Sequence, residues 1–347
     1  MNRIFALWLV ILLTLLASCG KNEPPTLPLG QSVTILITPT PTVPAHAFLG
    51  SWGSGGTAPG EFDYPDGLWV DPVGNIYVSD TGNARIQEIL VAASVFVTWG
   101  GSGMAVGQFH TPWGTALDPA DNLWVADGDN NRLQELPAGS GTWITIGGTA
   151  SGTGPGQFND PRYLAFDRAG DLFLTDGTNN RLQELPAGLA ATVAANWVTI
   201  GGTASGSGPG QFNVPVGIAF DIAGDLYVMD AGNSRIQELP AGEAATVAAN
   251  WAAFGSYGTG PGQFNAAFGL GTDPSGNLYV ADRYNNRIQE LPAGKAGTVA
   301  ANWITIGGTA SGSGPGQFSL PTDVKTDSQG NVYVADSQNN RIVKLAP

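Results

Sequence analysis

The chain has 347 residues, of which 42% are apolar and only 12% charged, with 50 Gly and 24 Pro; that balance describes a turn-rich β protein with a substantial core, not a helical one. A net charge of −14 repels phosphate backbones and argues against nucleic acid as a partner. Cys19 is the single cysteine, which rules out an intramolecular disulfide.

Arg3 supplies a positive start, and Ile4 to Leu16 form a short apolar run broken only by Thr14. Such a run is short for a membrane span and suits an export signal. It ends in Leu16-Ala17-Ser18-Cys19, which resembles a bacterial lipobox. Residues 1–18 are therefore expected to be a lipoprotein signal peptide, with Cys19 the lipidation site. Two or three fatty chains there would hold the protein at a membrane of the cell envelope, outside the cytoplasm. Residues 19–45, rich in Pro and Thr, have the composition of an extended tether, able to reach roughly 80 Å at ~3.1 Å per residue.

From residue 46 to 347 the sequence repeats itself. The segment beginning Gly210-Gln211-Phe212 has counterparts starting at Gly60, Gly107, Gly156, Gly262 and Gly316, spaced 47, 49, 54, 52 and 54 residues apart. Each copy holds four short alternating runs, such as Gly217–Asp221, Leu226–Asp230, Arg235–Leu239 and Trp251–Phe254. Four punctuated strands per unit describe one blade of a propeller. The sixth copy stops after its third strand, whereas an orphan run, residues 48–53, precedes the first copy and matches Phe96–Gly100. A ring uses that permutation, because the N-terminal strand can complete the last blade and remove two exposed edges. The expectation is an all-β, six-bladed propeller closed in this way.

The motifs Gly-Gln-Phe, Pro-x-Gly, Asp-x-x-Gly-Asn and Val-Ala-Asp-x-x-Asn-Asn-Arg-Ile-Gln, recurring over about 300 positions, resemble the NHL-repeat family. The resemblance implies a propeller, but it says little about activity, since the family includes sensor domains, protein- and RNA-binding modules and a few lyases.

Most repeated polar residues read as structural. The aspartate at 71, 118, 167, 221, 273 and 327 opens a turn. An Asp and an Arg five residues later recur as Asp80/Arg85, Asp127/Arg132, Asp176/Arg181, Asp230/Arg235, Asp282/Arg287 and Asp336/Arg341, with an Asn between them, and are expected to be six ion pairs. Near-identical insertions at 189–196, 243–250 and 295–302 are expected to make short helical turns under blades three to five.

A ligand site should lie where the copies differ. Strand alternation puts the b–c loops and the d–a joints on one face, so the two positions opening each innermost strand line the channel mouth. Asp66, Trp113, Arg162, Tyr163, Phe268 and Asp323 depart from the repeat there, with Arg283 and Tyr284 at the rim. Rings for contact and charges for orientation suit a small concave ligand-binding site, with Trp113 and Arg162 expected to face solvent. The main reading is a non-enzymatic recognition or scaffolding propeller, binding an envelope protein, a peptide, a glycan or a small ligand, with no cofactor. The alternative is a channel-metal lyase or lactonase-like enzyme. The family's amidating lyases hold zinc with several histidines, and this chain has only His46 and His110. Asp66 and Asp323 are the carboxylates that would hold a divalent cation in the channel.

Overall fold

The computed structural model describes residues 45–347 except Thr149, Thr203 and Thr309; the expected signal peptide, Cys19 and the expected tether through residue 44 lie outside the described residues. Six four-stranded antiparallel sheets are arranged as a propeller, and the described residues contain no α-helix, only single turns of 3-10 helix. Blade 1 runs Pro65–Val70, Ile76–Asp80, Arg85–Leu90 and Val95–Gly100, here called strands a to d from the channel outward. Blades 2 to 5 repeat the pattern over 112–147, 161–201, 215–254 and 270–306. Blade 6 takes strands a to c from Pro321–Thr326, Val332–Asp336 and Arg341–Leu345, and its strand d is Phe48–Trp52. The closing pairs are Phe48 with Leu345, Gly50 with Lys344, Ser51 with Val343 and Trp52 with Ile342. The ring closes as the orphan strand predicts.

The repeated apolar residues fill the space between blades. Phe62, Phe109, Phe158, Phe212, Phe264 and Phe318, one per repeat, are all fully buried, each worth about 1.5–3 kcal/mol over exposure. The glycine ending strand d allows this packing. Gly147 has φ 90°, and a Cβ there would stand 2.7 Å from the ring of Phe158. Side chain and backbone both exclude other residues at that joint.

The expected ion pairs are present in all six blades, with Arg Nε to Asp Oδ2 distances of 2.6–2.8 Å and every one of these aspartates fully buried. In blade 3, Arg181 also donates to the carbonyls of Thr153, Gly154 and Gln157, and Asn179 to Asp176. The pair therefore clamps the incoming d–a joint onto its own blade, and removing one partner would strand a buried charge. Gly82 N donates to Asp63 O, which puts the b–c loop and the d–a joint on one face, the upper one. Ala138 N donates to Asn122 Oδ1, which joins the a–b and c–d loops on the lower face. The three insertions form 3-10 turns at Ala194–Asn196, Ala248–Asn250 and Ala300–Asn302 on that lower face.

Candidate functional site at the channel mouth

Strand a enters the channel through a kink. Between Pro65 and Leu68 the register with strand b shifts, and the same irregularity follows Pro112, Pro161, Pro215 and Pro321. A bulge turns two successive residues toward one side, which is why both positions after the proline reach the mouth. The residue before it, or before Ala267 in blade 5, is left-handed in each blade, from Tyr64 (φ 48°) through Thr111, Asp160, Val214 and Ala266 to Leu320 (φ 48°). Four of these conformations are held from the neighbouring blade, where Asn340, Asn131, Asn180 and Asn286 accept from the backbone N–H of Tyr64, Asp160, Val214 and Leu320. That hook was not foreseen in the sequence, although the second Asn of each Asn-Asn-Arg is its signal.

The second position after the proline is the inner ring. It is glycine in four blades because neighbouring backbones touch there; a Cβ on Gly114 would stand 2.8 Å from the Arg162 carbonyl oxygen. Tyr163 and Asp323 replace that glycine in blades 3 and 6 and fill the space the glycines leave. Tyr163 is buried, and its hydroxyl donates to Thr322 O at 3.3 Å. Burial, with Asp323 and Asp66 nearby, holds its phenol well above the usual range, so it stays protonated.

All six expected residues meet around the upper channel, in two levels. Below lie the carboxylates. Burial pushes Asp66 up to about 7, against the opposing pull of Arg283. Asp323 is also raised by burial, opposed chiefly by Lys325. Its Oδ1 accepts from Lys325 Nζ at 2.8 Å and from Val324 N, and its Oδ2 accepts from Leu68 N at 2.8 Å. Both oxygens are committed and an ammonium already sits beside them. The pair therefore does not fit a divalent cation, which needs about six free oxygen ligands. Among the described residues, no three His, Cys, Asp or Glu side chains cluster as metal ligands.

Above lie the rings and guanidinium groups. Trp113 and Phe268, from opposite blades, have centroids 6.2 Å apart. Arg162 lies 5.5 Å from the Trp113 centroid, and Arg283 lies 4.8 Å from Phe268 and 5.3 Å from Tyr284. Trp113 and Arg162, expected to face solvent, are half-buried and held in place: Trp113 Nε1 donates to Asp160 Oδ1 at 3.0 Å, and Arg162 grips Asp160 Oδ2 through Nε and Nη2. Asp160, the left-handed residue before the bulge, orients both. Arg283 Nε is buried and has no hydrogen-bond partner among the described residues. The result is a shallow aromatic platform carrying two oriented cations, not an open hole.

Lys325 was missed in the sequence. Two residues beyond the inner ring, the channel-facing position reads Trp69, Ala116, Ala165, Ala219, Gly271 and Lys325. Two large side chains among four small ones were the signal. They line a cavity of about 150 Å³ in the lower channel, together with Leu164, Ile218 and Phe220.

Fold and site define the class: a closed six-bladed β-propeller with its unrepeated chemistry in the channel. The NHL repeat family profile matches residues 109–136, 267–291 and 318–345. NHL repeat-containing protein 3 from Homo sapiens is 34% identical over 84 residues, 23% of each chain. The chain thus spans about a quarter of the length of the relatives it matches. Among solved structures, an auxiliary nutrient binding protein from Bacteroides thetaiotaomicron superposes with a TM-score of 0.60 at 14% identity, covering 82% of this chain and 69% of that one. A gluconolactonase from Xanthomonas campestris superposes with a TM-score of 0.58 at 13% identity, covering 88% of this chain and 99% of that one. At such identities the likeness shows the fold, and a binder and an enzyme share it, so function has to be argued from the site.

Proposed function

We infer that the chain is a recognition propeller of the cell envelope, held there by lipid on Cys19, which takes a peptide, protein, glycan or small ligand on the platform at its channel mouth. The observation that carries this reading is the platform itself. In a scaffold otherwise repeated six times, Trp113, Arg162, Phe268 and Arg283 come together from three blades at the level where the repeats diverge. Rings supply contact area at low entropic cost, and two guanidinium groups favour a ligand with carboxylate or carbonyl oxygens.

The test is a thermal-shift screen of acidic peptides and glycans, followed by calorimetry of the alanine variants against the best hit. Trp113→Ala and Arg162→Ala should each weaken binding more than tenfold. Unchanged affinity in both, with binding lost on altering residues 189–196, 243–250 and 295–302, would move the site to the lower face.

One observation favours a second reading, a lyase or lactonase-like enzyme. A buried carboxyl titrating near neutrality, as at Asp66, is suited to proton transfer. Turnover of lactone or uronate substrates that is abolished by Asp66→Asn would establish it over the first.

A further inference from the structure

Strand c of blades 1 to 5 carries a glutamate paired across from an aromatic residue of strand b: Glu88 with Tyr77, Glu135 with Trp124, Glu184 with Phe173, Glu238 with Tyr227 and Glu290 with Tyr279. In blade 6 the glutamate becomes Lys344, opposite Tyr333. Six near-copies of one arrangement act as controls for each other. Tyr77 OH donates to Glu88 Oε1 at 2.9 Å, and His46 Nε2 stands 2.8 Å from Glu290. Trp124 cannot serve Glu135 in the same way, because its Nε1 donates to Asp118 Oδ2. Glu135 has no hydrogen-bond or ion-pair partner among the described residues. Glu184 shares that lack.

Glu135 opens instead into a cavity of about 420 Å³ at the seam between blades 2 and 3 on the lower face. Trp124, Phe166, Leu172 and Leu185 form its walls, and Leu189, from the insertion of blade 3, stands at its edge. The two rings meet edge to face with centroids 5.9 Å apart. Burial, and next Asp118, raise the carboxyl of Glu135 above its usual range, so the cavity lacks a compensating cation. A metal ion does not fit. Asp118, the other carboxylate, already accepts from Ala120 N, Asn122 N, Asn122 Nδ2 and Trp124 Nε1, which leaves one free carboxylate. A neutral ligand would cover the half-buried Glu135 carboxylate without offering it a charge.

We propose that this cavity binds an organic monocation, an alkylammonium group that sets its charge against Glu135 and its carbon against Trp124 and Phe166. Aromatic walls favour such a cation over a hydrated inorganic one. The site is separate from the channel mouth and does not depend on the function inferred there.

The experiment titrates the full protein with n-butylammonium chloride, reading saturation-transfer NMR and calorimetry, with 1-butanol as the neutral isostere. Saturable binding of the ammonium, at least tenfold tighter than the alcohol, is expected. Glu135→Gln should weaken it at least tenfold, and Glu88→Gln, the matching change in blade 1, should leave it unchanged. Equal affinity for alcohol and ammonium, no saturable binding, or unchanged affinity in Glu135→Gln would overturn the proposal.

Discussion

At Asp66, burial and charge pull in opposite directions and burial prevails. Raising this carboxyl from 3.8 to about 7 corresponds to roughly 4 kcal/mol, as an order of magnitude. The sign follows from proton binding. Between those values the folded state holds the proton and the unfolded chain releases it, so stability falls as pH rises from about 4 to about 7. Asp66→Asn keeps the shape without the titration. The variant should therefore melt higher than the native protein at pH 8, with the gain shrinking toward pH 4. Thermal melts at the two values test this, and a gain that does not depend on pH would contradict the assignment. Asp66 was recognisable as a site residue because it breaks the repeat, and sequence could not reveal its proton affinity, which depends on how tightly Thr322, Arg283 and Asp323 enclose it.

The strands were legible because each repeat carries its own punctuation. Asp-x-x-Gly-Asn makes the a–b turn, where Asp71 Oδ1 accepts from Val73 N and Asn75 N and Gly74 takes φ 92°. Where blade 2 lacks the glycine, Asp121 takes φ 63° in its place. The bulge after each proline was not legible. Pro-x-Gly also suits a plain turn, and the left-handed residue before it is Tyr, Thr, Asp, Val, Ala or Leu, of which only Asp favours that conformation. The small column ending in Lys325 went unread for a related reason, since only the traced bulge shows which side chains face the channel. The closing strand yields a direct test. A chain beginning at Val43 keeps Phe48–Trp52, whereas one beginning at Ser54 exposes the full edge of Arg341–Leu345. The shorter chain should melt several degrees lower and aggregate. Equal melting of the two would show that the pairing contributes nothing to closure.

Six blades make one ring, and what the ring does depends on where it is held. The envelope assignment rests on Cys19 and the residues before it. Cys19→Ala should remove the acylation point, leave the precursor uncleaved by the lipoprotein peptidase, and shift any processed protein out of the membrane fraction. Metabolic labelling with a palmitate analogue, together with fractionation, reads both effects. Label retained by the variant would exclude that cysteine as the anchor. The same net charge that argues against nucleic acid also opposes adsorption to anionic lipid, so in the proposed envelope setting the attachment would come from lipid, not electrostatics.

The closing strand also has a mechanical meaning. The chain enters the ring at Ala45 and runs at once into Phe48–Trp52, with Ala346 N donating to Ala47 O and His46 N donating to Pro347 O at its start. A pull delivered from the N-terminal side while the platform grips something fixed would run along this strand. The hydrogen bonds to Arg341–Leu345 lie across the pull, so they are loaded together in shear instead of being peeled singly. A seam that closes a ring at rest is thus also arranged to bear tension along its length.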